Sequence, residues 1–145
     1  MATIAHPVTD AYVLKTLSIL FKLKGATDTD DFTKHVGGVT FTPTAQSGSW
    51  TGASGNVISE QGIATWVATL GLVQDLDDDG FMLWLLAHEG EKADVTATLK
   101  SGTGAFTFTV TLTPAAIGGE VGPNPLSSSV TLPMDGKPVF VPPAP

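Results

Sequence analysis

The most constraining feature is a run of nine residues at 105–113, Ala-Phe-Thr-Phe-Thr-Val-Thr-Leu-Thr. Phe106, Phe108, Val110 and Leu112 fall on one side of an extended chain, and Thr107, Thr109, Thr111 and Thr113 on the other. Four repeats at period two cannot form one face of a helix, and they specify a strand buried on one side and wet on the other. Residues 94–100 alternate likewise, with Val95, Ala97 and Leu99 inward. Between the two runs lies Ser101-Gly-Thr-Gly104, whose glycines accept the positive φ of a tight turn, so the pair predicts a β-hairpin. Further strands are predicted over 12–24 (Leu17, Ile19, Phe21 and Leu23 on one face), 39–42, 63–72 (Trp66, Ala68, Leu70 and Leu72) and 128–133 (Val130 and Leu132). Strands so short and numerous bury their apolar faces only in two packed sheets or a closed barrel. The expectation is a mostly β, two-sheet antiparallel sandwich or barrel with one short flanking helix. At 145 residues the chain fits one domain spanning 1–145, able to bury roughly 68–70% of its unfolded surface.

The helix is predicted over residues 77–89. Asp77, Asp78 and Asp79 stand where capping carboxylates favour a helix start, and Gly90 follows where a C-terminal glycine is expected. Phe81 to Ala87 is apolar without interruption, so no polar stripe remains to face water. A small sandwich covers only one side of such a helix. The expectation is therefore that Phe81, Trp84 and Leu85 contact a second subunit.

Two segments show no regular pattern. Residues 42–57 are rich in Gly, Ser and Thr around a lone Trp50, and a connection of that length favours a functional loop. Gln46, Ser49 and Trp50 are its candidate contact residues. Residues 134–145 contain Pro138, Pro142, Pro143 and Pro145 and read as an extended arm whose Val139, Phe140 and Val141 dock on a neighbour. Residues 1–11 read as a second arm.

Composition excludes several classes of function. Seven basic residues, all lysine, stand against fourteen acidic ones, giving a net charge of -7. A chain without arginine lacks the forked donors that grip phosphate, which argues against nucleic-acid binding. Charged residues are only 14% of the chain, against about 25% in ordinary soluble domains, and twenty threonines supply much of the polar surface instead. With no cysteine, neither disulfides nor thiolate chemistry is available. Met1–Asp10 has no basic start and does not read as a secretory signal. The early apolar stretch at 13–23 is broken by Lys15 and Lys22 and is too short to span a bilayer, so a cytoplasmic site of synthesis without membrane attachment is expected.

No candidate chemistry outweighs a structural reading. Asp75-Leu-Asp77-Asp-Asp79-Gly80 matches the opening of an EF-hand loop, but the twelfth position, which needs a bidentate Glu, is Leu86. His6, His35 and His88 lack metal-ligand spacing. There is no Gly-x-Ser-x-Gly and no nucleophile–base motif. The expectation is no catalytic residue, no metal and no cofactor.

Several elements occur in a suggestive order. They are Val36-Gly-Gly-Val-Thr-Phe-Thr-Pro43, the Ser/Gly segment with Trp50, and Gly62-Ile-Ala-Thr-Trp-Val-Ala-Thr-Leu-Gly-Leu-Val-Gln-Asp75. The short helix, the run from Phe106 through Pro114 to Gly122, and Val130-Thr-Leu-Pro-Met-Asp-Gly-Lys-Pro138 complete the series. In this order the chain resembles the major tail protein, or tail tube protein, of long-tailed non-contractile bacteriophages. The resemblance covers nearly the whole chain and rests on strand and turn patterns. It implies a sandwich that closes into hexameric rings, stacked as a hollow tube in the virion tail. The implied partners are further copies of the chain, a tape measure protein in the lumen, and tail terminator and distal tail proteins at the ends. Genomic DNA would pass without specific binding, and an acidic subunit with neutral threonine-rich faces suits such passage. It also implies that the 42–57 loop reaches a neighbouring ring through Trp50. Lumen-lining residues are not identified by the sequence. A decoration or adhesin-like β-sandwich of another virion structure, and a small carbohydrate-binding module using Trp50, remain the alternatives.

Overall fold

The structure, a computed structural model, describes residues 2–9, 11–100 and 104–143. Its elements are β1 (Ser18–Leu23), β2 (Asp30–Asp31), β3 (Val36–Thr44), β4 (Ser47–Thr51), β5 (Val57–Gln61), β6 (Thr65–Val73), α1 (Phe81–Ala87), β7 (Lys92–Thr98), β8 (Ala105–Thr111), β9 (Ser127–Pro133) and β10 (Val139–Val141). One antiparallel sheet has the order β10-β8-β7-β1-β2, a second the order β3-β6-β9, and β4 and β5 pair only with each other. The chain is mostly β with one short helix, as the alternating pattern requires.

The expected hairpin is β7–β8, with Val95 opposite Phe108 and Ala97 opposite Phe106. Ser101, Gly102 and Thr103 of its expected turn lie outside the described residues. Gly104 follows at φ +113°, and a Cβ there would lie 2.5 Å from the Val141 carbonyl oxygen, so only glycine lets β10 approach. Inward residues of the two large sheets meet in one core. Ile19, Phe21, Ala93, Val95, Ala97 and Val110 come from one side, and Ala68, Leu70, Leu72, Val130 and Leu132 from the other. No polar or charged residue is buried among the described residues, so this core rests on apolar burial. Each fully buried large side chain there contributes about 1.5–3 kcal/mol.

The C-terminal segment, expected as an extended arm docking on a neighbour, is paired within its own chain. Beyond β9, Met134 bridges Val110, the Asp135 N–H donates to the Thr109 carbonyl at 2.8 Å, and Gly136 turns the chain at φ +91°. The chain then joins β8 as β10, with Phe140 opposite Phe106. It thus laces one sheet to the other. Val-Phe-Val has high strand propensity, and Pro138 and Pro142 confine the strand to three residues.

The helix is shorter than expected and begins later. Gly80 is its N-cap, and no side chain caps it. The aspartates instead build the preceding turns. Asp75 Oδ1 accepts from the Asp77 N–H at 2.9 Å and Asp77 Oδ1 from the Asp79 N–H at 3.2 Å. These local bonds compete with helix formation and delay it by a turn.

On the outer face of the five-stranded sheet, Lys22, Asp94 and Thr109 stand in register. The Lys24 Nζ lies 2.9 Å from Asp94 Oδ1, and Thr109 Oγ1 donates to the same oxygen at 2.7 Å. The bond from Lys24, then that from Thr109, holds the Asp94 carboxyl below the usual carboxylate range. A depressed carboxyl contributes stability above its unfolded value near 3.9, and that stability is lost as pH falls through the folded value. At this exposed site it is worth under about 1 kcal/mol. Asp94→Asn is therefore expected to destabilise slightly at pH 7 and to match the wild type at pH 2, measured by urea titration at both pH values. Among the described residues, no helix is long and apolar enough to cross a membrane.

Candidate interaction surface

Residues 42–57 do not form an irregular loop. β3 runs on through Thr44, and β4 and β5 form a hairpin with Trp50 opposite Ile58 and Gly48 opposite Glu60. At its tip the Gly52 N–H donates to the Asn56 carbonyl at 2.8 Å and the Gly55 N–H to the Gly52 carbonyl at 3.0 Å, with Gly55 at φ +88°. This is a three-residue turn closed by a left-handed residue, a common hairpin connection. Thr-Gly-Ala-Ser-Gly-Asn carried that signal. The flanking Ser/Gly strands lack hydrophobic alternation and hid it.

β3 and β6 are paired up to Thr44 opposite Thr65, so the β4–β5 ribbon extends the β3–β6 ribbon outward. Gln46 sits at the junction, its carbonyl accepting the Gly62 N–H at 2.6 Å. Every residue of β4 and β5 is exposed. Opposed pairs share a face of a ribbon, which places Gly48, Trp50, Ile58 and Glu60 on one side and Ser49, Ser59, Thr51 and Val57 on the other. Trp50 is 60% exposed and Ile58 51%. Trp50 stands out in the sequence and Ile58 does not, because its place beside Trp50 comes only from the register.

A second apolar surface lies beside β3, where β8 begins and β10 ends. Rings run from Phe140 to Phe106 at 5.3 Å, to Phe41 at 5.8 Å and on to Phe108 at 4.9 Å. Tyr12, Leu99 and Lys100 complete a groove of about 370 Å³ over the Phe41, Phe106 and Phe140 rings. It continues into a second groove of similar size that shares those three residues and adds Lys15. Val139, Phe140 and Val141, expected to dock on a neighbour, pair with β8 of their own chain yet stay about half exposed. Tyr12, Leu99 and Phe106 had no signal as surface residues, because each sits in or beside a strand-like run.

Of the three helix residues expected at an interface, Phe81 and Leu85 are corrected, while Trp84 is only partly buried. Phe81 and Leu85 are fully buried in the chain's own core. The Trp84 ring lies 4.9 Å from Phe32, 5.5 Å from Phe21 and 5.1 Å from His88. Phe32, in the loop after β2, covers the helix on the side expected to meet a second subunit. Leu86, 46% exposed, is the helix's large outward apolar residue.

The strands β3, β6 and β9 contain no charged residue. Their outward face presents Thr40, Thr69 and Thr131 in one row and Gly38, Gly71 and Ser129 in the next. The other sheet turns Thr96, Thr98, Thr107, Thr109 and Thr111 outward among lysine–aspartate pairs such as Lys24–Asp94 and Lys92–Asp135. His88 bonds Glu91 through Nδ1 at 2.5 Å, and the His35 ring packs on Phe32. Among the described residues, no group of three His, Asp or Glu side chains converges on a metal-sized site. No family model matches this sequence, and no curated protein is significantly similar to it.

Proposed function

We propose that this chain is a self-assembling structural subunit of a hollow tube, the tail tube of a long-tailed bacteriophage. The observation that carries the reading is the β4–β5 hairpin, solvated on both faces yet displaying Trp50 and Ile58 side by side. An isolated two-stranded hairpin is marginal in water, so such a ribbon gains its order from a surface it lies upon. A large exposed aromatic at its centre is the side chain that most often anchors protein contacts. Two further features support the reading. β3 is a nine-residue edge strand paired on one side only, the kind of edge that a neighbouring copy can extend. The uncharged wall of β3, β6 and β9 offers no cation to hold DNA, as a conduit for a genome needs.

In this reading hexameric rings stack through heterologous contacts into an open filament. The tape measure protein occupies the lumen, and terminator and distal tail proteins close the ends. The work is assembly and passage, with no reaction catalysed. Negative-stain electron microscopy over a concentration series is expected to show rings or tubes with sixfold end views. Dispersed monomers at every concentration, with or without a tape measure segment added as nucleus, would overturn it. A carbohydrate-binding module would stay monomeric and bind glycans through Trp50.

A further inference from the structure

We propose that the hairpin face bearing Trp50, Ile58 and Glu60 docks in the Tyr12–Phe106–Phe140 groove of a second copy of this chain. The inference rests on the self-assembly reading for the presence of that copy, and it names the two surfaces that meet.

Three observations support the match. The first is apolar fit. The groove floor is aromatic, and its volume of about 370 Å³ falls within the ~300–1,000 Å³ of pockets that hold drug-sized molecules, so an indole with a neighbouring isoleucine suits it. The second is charge. Glu60 is the one charged residue of the 47–61 segment, and it shares the Trp50 face. The described lining of the two joined grooves carries Lys15 and, among the described residues, no carboxylate, in a chain with twice as many acids as lysines. An acidic edge beside an apolar anchor thus faces a basic edge beside an apolar socket, an arrangement that fixes register and partner.

The third is reach. Phe41 lines the groove three residues before β3 ends at Thr44, and Trp50 stands six residues beyond that point. Extended chain carries it up to roughly 20 Å from the root. The indole therefore leaves its own groove and is presented to another molecule's. The contact is heterologous, with donor and acceptor surfaces different, and so builds rings or filaments.

The absence of cysteine makes the test clean. Ile58→Cys and Leu99→Cys proteins are mixed, allowed to assemble and oxidised. A disulfide forms only where Cα atoms come within about 7 Å. The expected result is a 58–99 cross-link at least about tenfold above that of Ser59→Cys, on the opposite hairpin face, with Leu99→Cys. In parallel, Glu60→Lys and Lys15→Glu are each expected to raise the concentration needed for assembly about tenfold, and the double variant to restore it. Tubes that form without the cross-link, or that join Leu99→Cys to an N-terminal Val8→Cys instead, overturn the socket while leaving the tube reading intact. A face-specific cross-link confined to a closed dimer upholds the socket and removes the tube. Absence of both assembly and cross-link in variants with native circular dichroism overturns both.

Discussion

Replacing Phe81 with alanine is expected to lower the free energy of unfolding by about 3–5 kcal/mol, a large share of the roughly 5–15 kcal/mol that holds a domain of this size. The ring is fully buried, with its centroid 4.6 Å from Phe32, 5.1 Å from Phe21 and 6.1 Å from Trp84. Three rigid aromatic rings collapse poorly into the space a fourth leaves, which places the cost toward the upper end. Urea unfolding followed by tryptophan fluorescence measures it directly. Leu86→Ala, one residue beyond buried Leu85 but turned to solvent, is expected to change stability by no more than about 0.5 kcal/mol. The pair of variants separates two roles for one helix. If Phe81→Ala folded as stably as the wild type but failed to assemble, the apolar helix would be an intersubunit surface, and the assignment of Phe81 to the core would be wrong.

The helix shows where sequence reasoning reaches its limit. An unbroken apolar stretch says that a helix is covered, and nothing in it says by what. Phe32 is the covering residue here, some fifty positions upstream in a loop, in a segment with no period to mark it as core. The strands with strong alternation were legible because one buried face suffices to specify them. Phe108 and Val110 are buried, and Trp66, Ala68, Leu70 and Leu72 face the core as their spacing requires. β4 and β5 were not legible because both faces are wet, so selection for burial left no alternation in Ser-Gly-Ser-Trp-Thr. β10 was obscured by its prolines, which mark an edge as readily as an arm. Trp50 stood out because nothing near it could bury it. The groove did not, since it is assembled from Tyr12, Phe41, Leu99, Phe106 and Phe140, residues that meet only in the folded chain.

Excision of the hairpin is expected to have the largest effect on assembly and almost none on the fold. The Gln46 carbonyl and the Gly62 N–H are already bonded at 2.6 Å, so a two-residue turn can close the β3–β6 ribbon there in place of 47–61. The removed residues contribute nothing to the buried core, and the shortened chain should unfold within about 0.5 kcal/mol of the wild type. On the proposed reading it should nevertheless sediment as a monomer at concentrations where the full chain is expected to form rings or tubes. Trp50→Ala is the milder form of the same test. A buried interfacial tryptophan commonly costs 2 kcal/mol or more on truncation, a shift of about thirtyfold in the assembly concentration. The stability of the folded monomer should not move, because the Trp50 ring is largely in solvent there. The ratio of the two effects is what matters. A residue that left assembly untouched would be an ordinary solvent-exposed aromatic. One that weakened folding and assembly alike would be packing against its own chain. Only a loss of assembly with folding preserved fits a ribbon whose ordered partner is another molecule.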